Sequence, residues 1–141
     1  MEVEVLFERR SPLAERLAAE GRHSDGATLI SRARELAAQL TPEEKAATLA
    51  AHPPIGGDRS RMSAASRAEQ GEDEVPELAE LNDEYERRFG FRFVTFVNRR
   101  PKRAVAEELR MRLRNDRDQE LATGVKAVID IAEDRLARLQ P

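Results

Sequence analysis

Apolar residues recur along most of this chain at the three- and four-residue spacing of a helix face, with two exceptions. Leu29, Ile30, Ala33, Leu36, Ala37 and Leu40 form one such face, and Leu121, Val125, Val128, Ile129, Ala132, Leu136 and Leu139 form a longer one near the end. Start signals precede them. Ser11-Pro12 offers a capping hydroxyl followed by a proline at the first helical position, where a missing N–H costs nothing. Thr41-Pro42-Glu43-Glu44 reads as a capping box. Ser24 or Asp25 opens the second helix, Asn115 or Asp116 the last, and Gly21 and Gly90 are stops. Pro76 begins a helix with Leu78, Leu81 and Tyr85 inward and Arg87-Arg88 near its end. Another, from Pro101 to Arg114, carries Ala104, Val105, Leu109 and Leu113. The expected fold is all-α, a single compact multi-helix domain over residues 1–141.

Val3, Val5 and Phe7 alternate as in a strand and equally suit packing beside a helix. The second exception is FGFRFVTFV, which places Phe89, Phe91, Phe93 and Phe96 close together in a partial period-two pattern. With no second strong strand to pair with, it reads as one short extended segment near Phe89 to Val97, packed among helices. Its backbone groups need partners, and either packing or a bound ligand with amide-like groups would serve.

Composition narrows the chemistry. With 141 residues, 40% of them hydrophobic, the chain can bury a core without disulfides or metals. It has no cysteine, which removes thiolate nucleophiles and ligands, and its two histidines argue against a His-rich metal site. A net charge of -3 supplies no field to recruit nucleic acid or a membrane surface. The one basic cluster, Asn98 to Arg103, lacks interleaved aromatics and reads as a solvated loop. The charged start is unlike a signal peptide and no apolar run would span a membrane, so a cytoplasmic protein is expected. No phosphate-binding glycine loop, HExxH, nucleophile elbow or GxGxxG is present.

What remains is the stretch from His52 to Gln70. Pro53 disfavours helical geometry at the preceding residue, so His52 closes the third helix. There an imidazole serves either as a helix-end partner or, aimed into a cleft, as an acid or base. After a polar loop from Gly56, Met62 to Gln70 reads as a short helix that crowds Ser66, Glu69 and Gln70 onto one face. The plain reading of Ser66 and Glu69 is a capping box, yet no apolar run follows. Arg135 and Arg138, by default, are surface charges near a helix C-terminus.

The order LFERRSPLAER, AHPPIGG, SRAEQ, LNDEYERRFGFRFV and IAEDRLARL, from about Leu6 to Leu139, resembles the 2-oxo-4-hydroxy-4-carboxy-5-ureidoimidazoline (OHCU) decarboxylase family. The resemblance implies a helical, usually dimeric, cytoplasmic enzyme that needs no cofactor or metal and turns a small-molecule substrate into (S)-allantoin during urate breakdown. It casts His52 as the main acid/base, Glu69 as assisting proton delivery, and Ser66 and Gln70 as partners of the ureido and ring amides. Pro53 shapes the pocket beside His52. Phe93, Val94, Thr95 and Phe96 would offer backbone groups, and Arg135 would be the carboxylate's counter-ion. The chain departs from the family pattern at Pro54-Ile55, where an aspartate or arginine and a leucine are common, and at Arg92, usually proline. It is also shorter at its N-terminus by roughly one helix. Two alternatives accompany this reading: a relative acting on another ureido or imidazoline compound, and a non-catalytic helical interaction module.

Overall fold

Short polar side chains start four of the described helices where the pattern places them. The computed structural model describes residues 2–8, 10–53 and 76–139. In α1 (Pro12–Ala19) the Ser11 hydroxyl accepts from the Ala14 amide at 3.0 Å, and in α2 (Gly26–Ala37) Asp25 accepts from Thr28 at 2.8 Å. The capping box of α3 (Pro42–Ala50) closes both ways, Glu44 N to Thr41 Oγ1 at 3.1 Å and Thr41 N to Glu44 Oε1 at 3.0 Å. Next come α4 (Pro76–Phe89), α5 (Lys102–Arg112) and α6 (Arg117–Leu139). Asp116 accepts from the Gln119 amide at 2.8 Å and so caps α6, while Asn115 turns to Glu120. Among the described residues the fold is all-helical and forms one packed body: α6 lies against α2 and α3, α1 against α2, α3 and the N-terminal turn, and α4 against α5.

Close helix approach fixes the end of α3. A Cβ on Gly124 of α6 would come within 2.8 Å of Leu49 Cδ2, and Leu49 is fully buried. Arg16 of α1 forks onto Glu44 of α3 at 2.9 and 2.8 Å.

The N-terminus is a 3-10 turn (Val3–Val5) rather than a strand. Val3, Leu6 and Phe7 are buried and Val5 is 48% exposed, which is helical spacing and not alternation. The aromatic run also differs slightly from expectation, since Phe89 is still helical and the chain leaves α4 through Gly90 at φ +79°. Residues 91–97 are neither helix nor strand. Phe89, Phe91 and Phe93 surround Tyr85, with ring centroids 4.7, 5.8 and 5.3 Å from it.

Arginines take the carbonyls that such an irregular segment leaves over. Arg112 Nη1 donates to Val94 O at 3.0 Å, and Arg100 donates to Phe96 O at 2.7 Å and Val97 O at 3.0 Å. Glu108 gathers Thr95 Oγ1 at 2.7 Å, Arg100 at 2.7 Å and Arg112 at 3.1 Å. Burial pushes the Glu108 carboxyl up, but hydrogen bonds from Thr95, Arg100 and Arg112 outweigh it and hold the group below its ordinary value. Beneath them, Glu120 accepts from Tyr85 Oη at 2.6 Å, Arg112 Nε at 2.8 Å and Asn115 Nδ2 at 2.8 Å. Burial and that bond to Glu120 both push the Tyr85 phenol up, keeping it a proton donor. The basic cluster is therefore not simply a solvated loop: Asn98 and Arg99 turn through positive φ, Arg100 folds back as a clamp, and Lys102 is buried.

Removing one partner of a buried ion pair strands the other's charge. Arg112→Met is expected to cost about 3–5 kcal/mol in urea unfolding. Adding Glu120→Gln should recover part of that loss, and a double mutant as unstable as the sum of the singles would contradict the pairing.

Candidate active site

His52 stands one residue past the C-cap of α3, its N–H bonded to Leu49 O at 3.2 Å, so one more helical turn is closed before Pro53 stops it. The residue is 5% exposed, and its Nε2 is buried with no hydrogen-bond partner among the described residues. Three charged groups act on the ring: Glu8, Arg135 and Arg92. Burial, the largest influence, disfavours the cation; Glu8 opposes it; Arg135 and Arg92 reinforce it, leaving a pKa of about 4. At neutral pH the imidazole is uncharged and can accept a proton.

Arg135 is buried at 8% exposure, overturning the default of a surface charge. Its Nη1 donates to Leu6 O at 3.1 Å and its Nη2 to Glu8 Oε1 at 3.2 Å, tying α6 to the N-terminal turn beside His52. Arg138 does follow the default and pairs with Asp134 at 2.8 Å on an open face. The irregular segment reaches the same place through Arg92, whose Nη1 donates to His52 O at 2.6 Å. Within it the side chains of Phe93, Val94 and Thr95 are buried, and Phe96 is half-buried. The amides of Phe93, Val94, Thr95 and Phe96 find no acceptor among the described residues, in contrast to the carbonyls of Val94 and Phe96. Its side chains thus serve the core while backbone donors remain for other use.

The structure accordingly groups His52, half-buried Pro53, Arg135 and the start of the 93–96 segment. Ser66, Glu69, Gln70 and the short helix expected for them lie outside the described residues. Among the described residues no group of three His, Asp or Glu could hold a metal ion. A depression of about 280 Å³ floored by Ala37, Ala122, Val125 and Ile129 includes none of the predicted residues.

Glu8, Arg92 and Arg112 went unassigned in the sequence reading. A signal existed for Arg112, which continues the Val105–Leu109 stripe of α5, and for Arg135, which continues Leu121, Val125, Val128 and Ala132 on α6. A charge on an apolar stripe is a buried charge in waiting. Glu8 and Arg92 carry no such local mark.

Comparison with known proteins identifies the family. The sequence profile of the OHCU decarboxylase family matches residues 2–137. The 2-oxo-4-hydroxy-4-carboxy-5-ureidoimidazoline decarboxylase of Haloferax volcanii is 31% identical over 140 residues, covering 94% of this chain and 83% of its own length. The uric acid degradation bifunctional protein of Bacillus subtilis is 27% identical over 139 residues, which are 94% of this chain and 28% of that protein. A crystal structure of an OHCU decarboxylase in the presence of (S)-allantoin superposes with a TM-score of 0.75 at 25% identity, covering 92% of this chain and 90% of that one. The fold and these matches define a helical carboxy-lyase. The chain belongs to the OHCU decarboxylase family.

Because His52 is held neutral, it links folding to pH. Between pH 6.5 and about 4 the unfolded chain takes up a proton at this residue that the folded chain refuses, so its share of stability is present above pH 6.5 and lost as pH falls through that window. Comparing urea unfolding at pH 7 and 4.5, His52→Asn should lose less stability than the native chain by about 2 kcal/mol. Equal losses in both chains would show that the ring is not buried neutral.

Proposed function

We propose that this chain is a cofactor-independent decarboxylase that converts 2-oxo-4-hydroxy-4-carboxy-5-ureidoimidazoline to (S)-allantoin in urate breakdown. The observation that carries it is His52, a buried neutral imidazole at a proline-stopped helix end whose Nε2 has no partner among the described residues, in a chain of this family. The substrate loses its carboxylate from a carbon that bears a hydroxyl, its electrons pass into the neighbouring imine, and the ureido-bearing carbon is then protonated on one face. A neutral imidazole is suited to the first demand, since it can take the hydroxyl proton as charge develops. The resulting imidazolium, next to Glu8, can stabilise the enol-like intermediate.

Arg135 supplies the planar cation for the substrate carboxylate, in keeping with its burial and its place beside His52. The amides of Phe93 to Phe96 donate to the ligand's carbonyl oxygens, and Pro53 walls the pocket. Glu69 assists delivery of the proton to carbon, with Ser66 and Gln70 holding the ureido and ring amides. A homodimer in the cytoplasm is the working form, a state that sedimentation checks.

The test makes the unstable substrate in place from urate with urate oxidase and hydroxyisourate hydrolase and follows allantoin by circular dichroism. Optically active (S)-allantoin should appear faster than spontaneous decay, and His52→Ala should lower kcat/KM by about a hundredfold or more with folding intact. Racemic allantoin formed at the spontaneous rate would refute the assignment. When freshly made substrate is jumped to lower pH, kcat/KM should hold from pH 7 to 5 and fall on a limb near pH 4, where His52 gains its proton. A limb near 6.5 would argue for an ordinary, solvated histidine.

A further inference from the structure

The C-terminal end of α3 is short of donors. A helix leaves its last carbonyls without intrahelical partners, and backbone N–H groups three and four residues on ordinarily close the turn. For Ala50 those positions are Pro53 and Pro54, neither of which has an N–H. A side chain 42 residues along makes good the loss: Arg92 Nη1 donates to Ala50 O at 3.1 Å and to His52 O at 2.6 Å. The guanidinium is steadied from the other side by Glu86 of α4, whose Oε1 accepts from Arg92 Nε at 3.2 Å.

Arg92 immediately precedes Phe93, so one side chain joins the backbone of the candidate base to the head of the segment whose amides find no acceptor among the described residues. We propose that Arg92 is a positioning residue, which caps α3 from the irregular segment and thereby sets the His52 imidazole against the backbone of Phe93 to Phe96. The inference rests on the reading of His52 and that segment as two walls of the decarboxylase site. Several features favour it physically. Charge-assisted hydrogen bonds to carbonyls are stronger than neutral ones, and a cation at a helix C-terminus complements the helix dipole. One nitrogen serving two carbonyls two residues apart also resists rotation of the peptide that carries His52. Pro54 withholds an N–H from the Ala50 carbonyl and Arg92 provides one.

The full-length chain with Arg92→Met is compared with the native chain in the coupled allantoin assay and by ¹H–¹³C correlation of the histidine rings. His23 and His52 are the chain's two histidines, so each spectrum carries its own reference. Expected are a kcat lower by about ten- to a hundredfold with KM little changed, a displaced His52 ring signal and an unmoved His23 signal. Arg92→Lys, which keeps a cationic donor, should recover part of both effects. A native-like kcat in Arg92→Met, or an unmoved His52 signal in a variant whose lysine form is no better, overturns the proposal. If Arg92→Met does not fold, Arg92→Gln takes its place with the same two readings. Should the native chain itself show no turnover above spontaneous decay, the decarboxylase reading fails and the His52 signal alone decides the positioning role.

Discussion

The ion pair between Arg112 and Glu120, buried at 2.8 Å, is the constraint on which the irregular segment of the candidate site depends. Two charges removed from water are tolerable only when every remaining hydrogen-bonding position is used, and nearly all are: Glu120 also receives Tyr85 and Asn115, and Arg112 also reaches Val94 O and Glu108. The pair thus joins three helices to a stretch of chain with no secondary structure of its own. Without it, residues 91–97 would have neither a helical ladder nor a partner strand to define their path. Aromatic packing around Tyr85 adds burial, but rings alone do not orient a peptide plane; guanidinium groups on carbonyls do.

The two walls of the site are built by opposite means. The 93–96 backbone is held by the carbonyls of Val94 and Phe96, while its amides have no acceptor among the described residues. His52 is held by its own backbone, through Leu49 on one side and Arg92 on the other, which leaves its ring without a partner at Nε2 among the described residues. In both cases the contacts fall on the backbone anchor, and the group proposed to react is left uncommitted among the described residues. Such anchoring keeps geometry firm without occupying the reacting groups, the condition for electrostatic preorganisation.

Local pattern was enough to read the helices among the described residues. Ser11, Asp25 and the Thr41–Glu44 box act within three residues of themselves, so their effect is written in adjacent letters. The helical faces of α2 and α6 were equally plain. The destinations of long charged side chains were not, because Arg92 meets α3 and Arg135 meets the N-terminal turn across large sequence separations that no periodicity encodes. Their role as anchors became visible only with the chain folded. The candidate site was legible in a different way: the proline-stopped helix end drew attention to His52 while favouring a helix-end partner, and Arg135, a surface charge by its spacing, took its role from family resemblance alone.

Tyr85 lies at the meeting point of this network, and the chain has one tyrosine and no tryptophan. Nature has therefore placed a single chromophore, red of the phenylalanines, inside the clamp that shapes the proposed substrate wall. Its phenol is bound to a carboxylate and ringed by Phe89, Phe91 and Phe93, so its absorption and emission respond to the polarity and tightness of that one locality. The molecule comes with a built-in optical gauge of the segment proposed to bind substrate, needing no label.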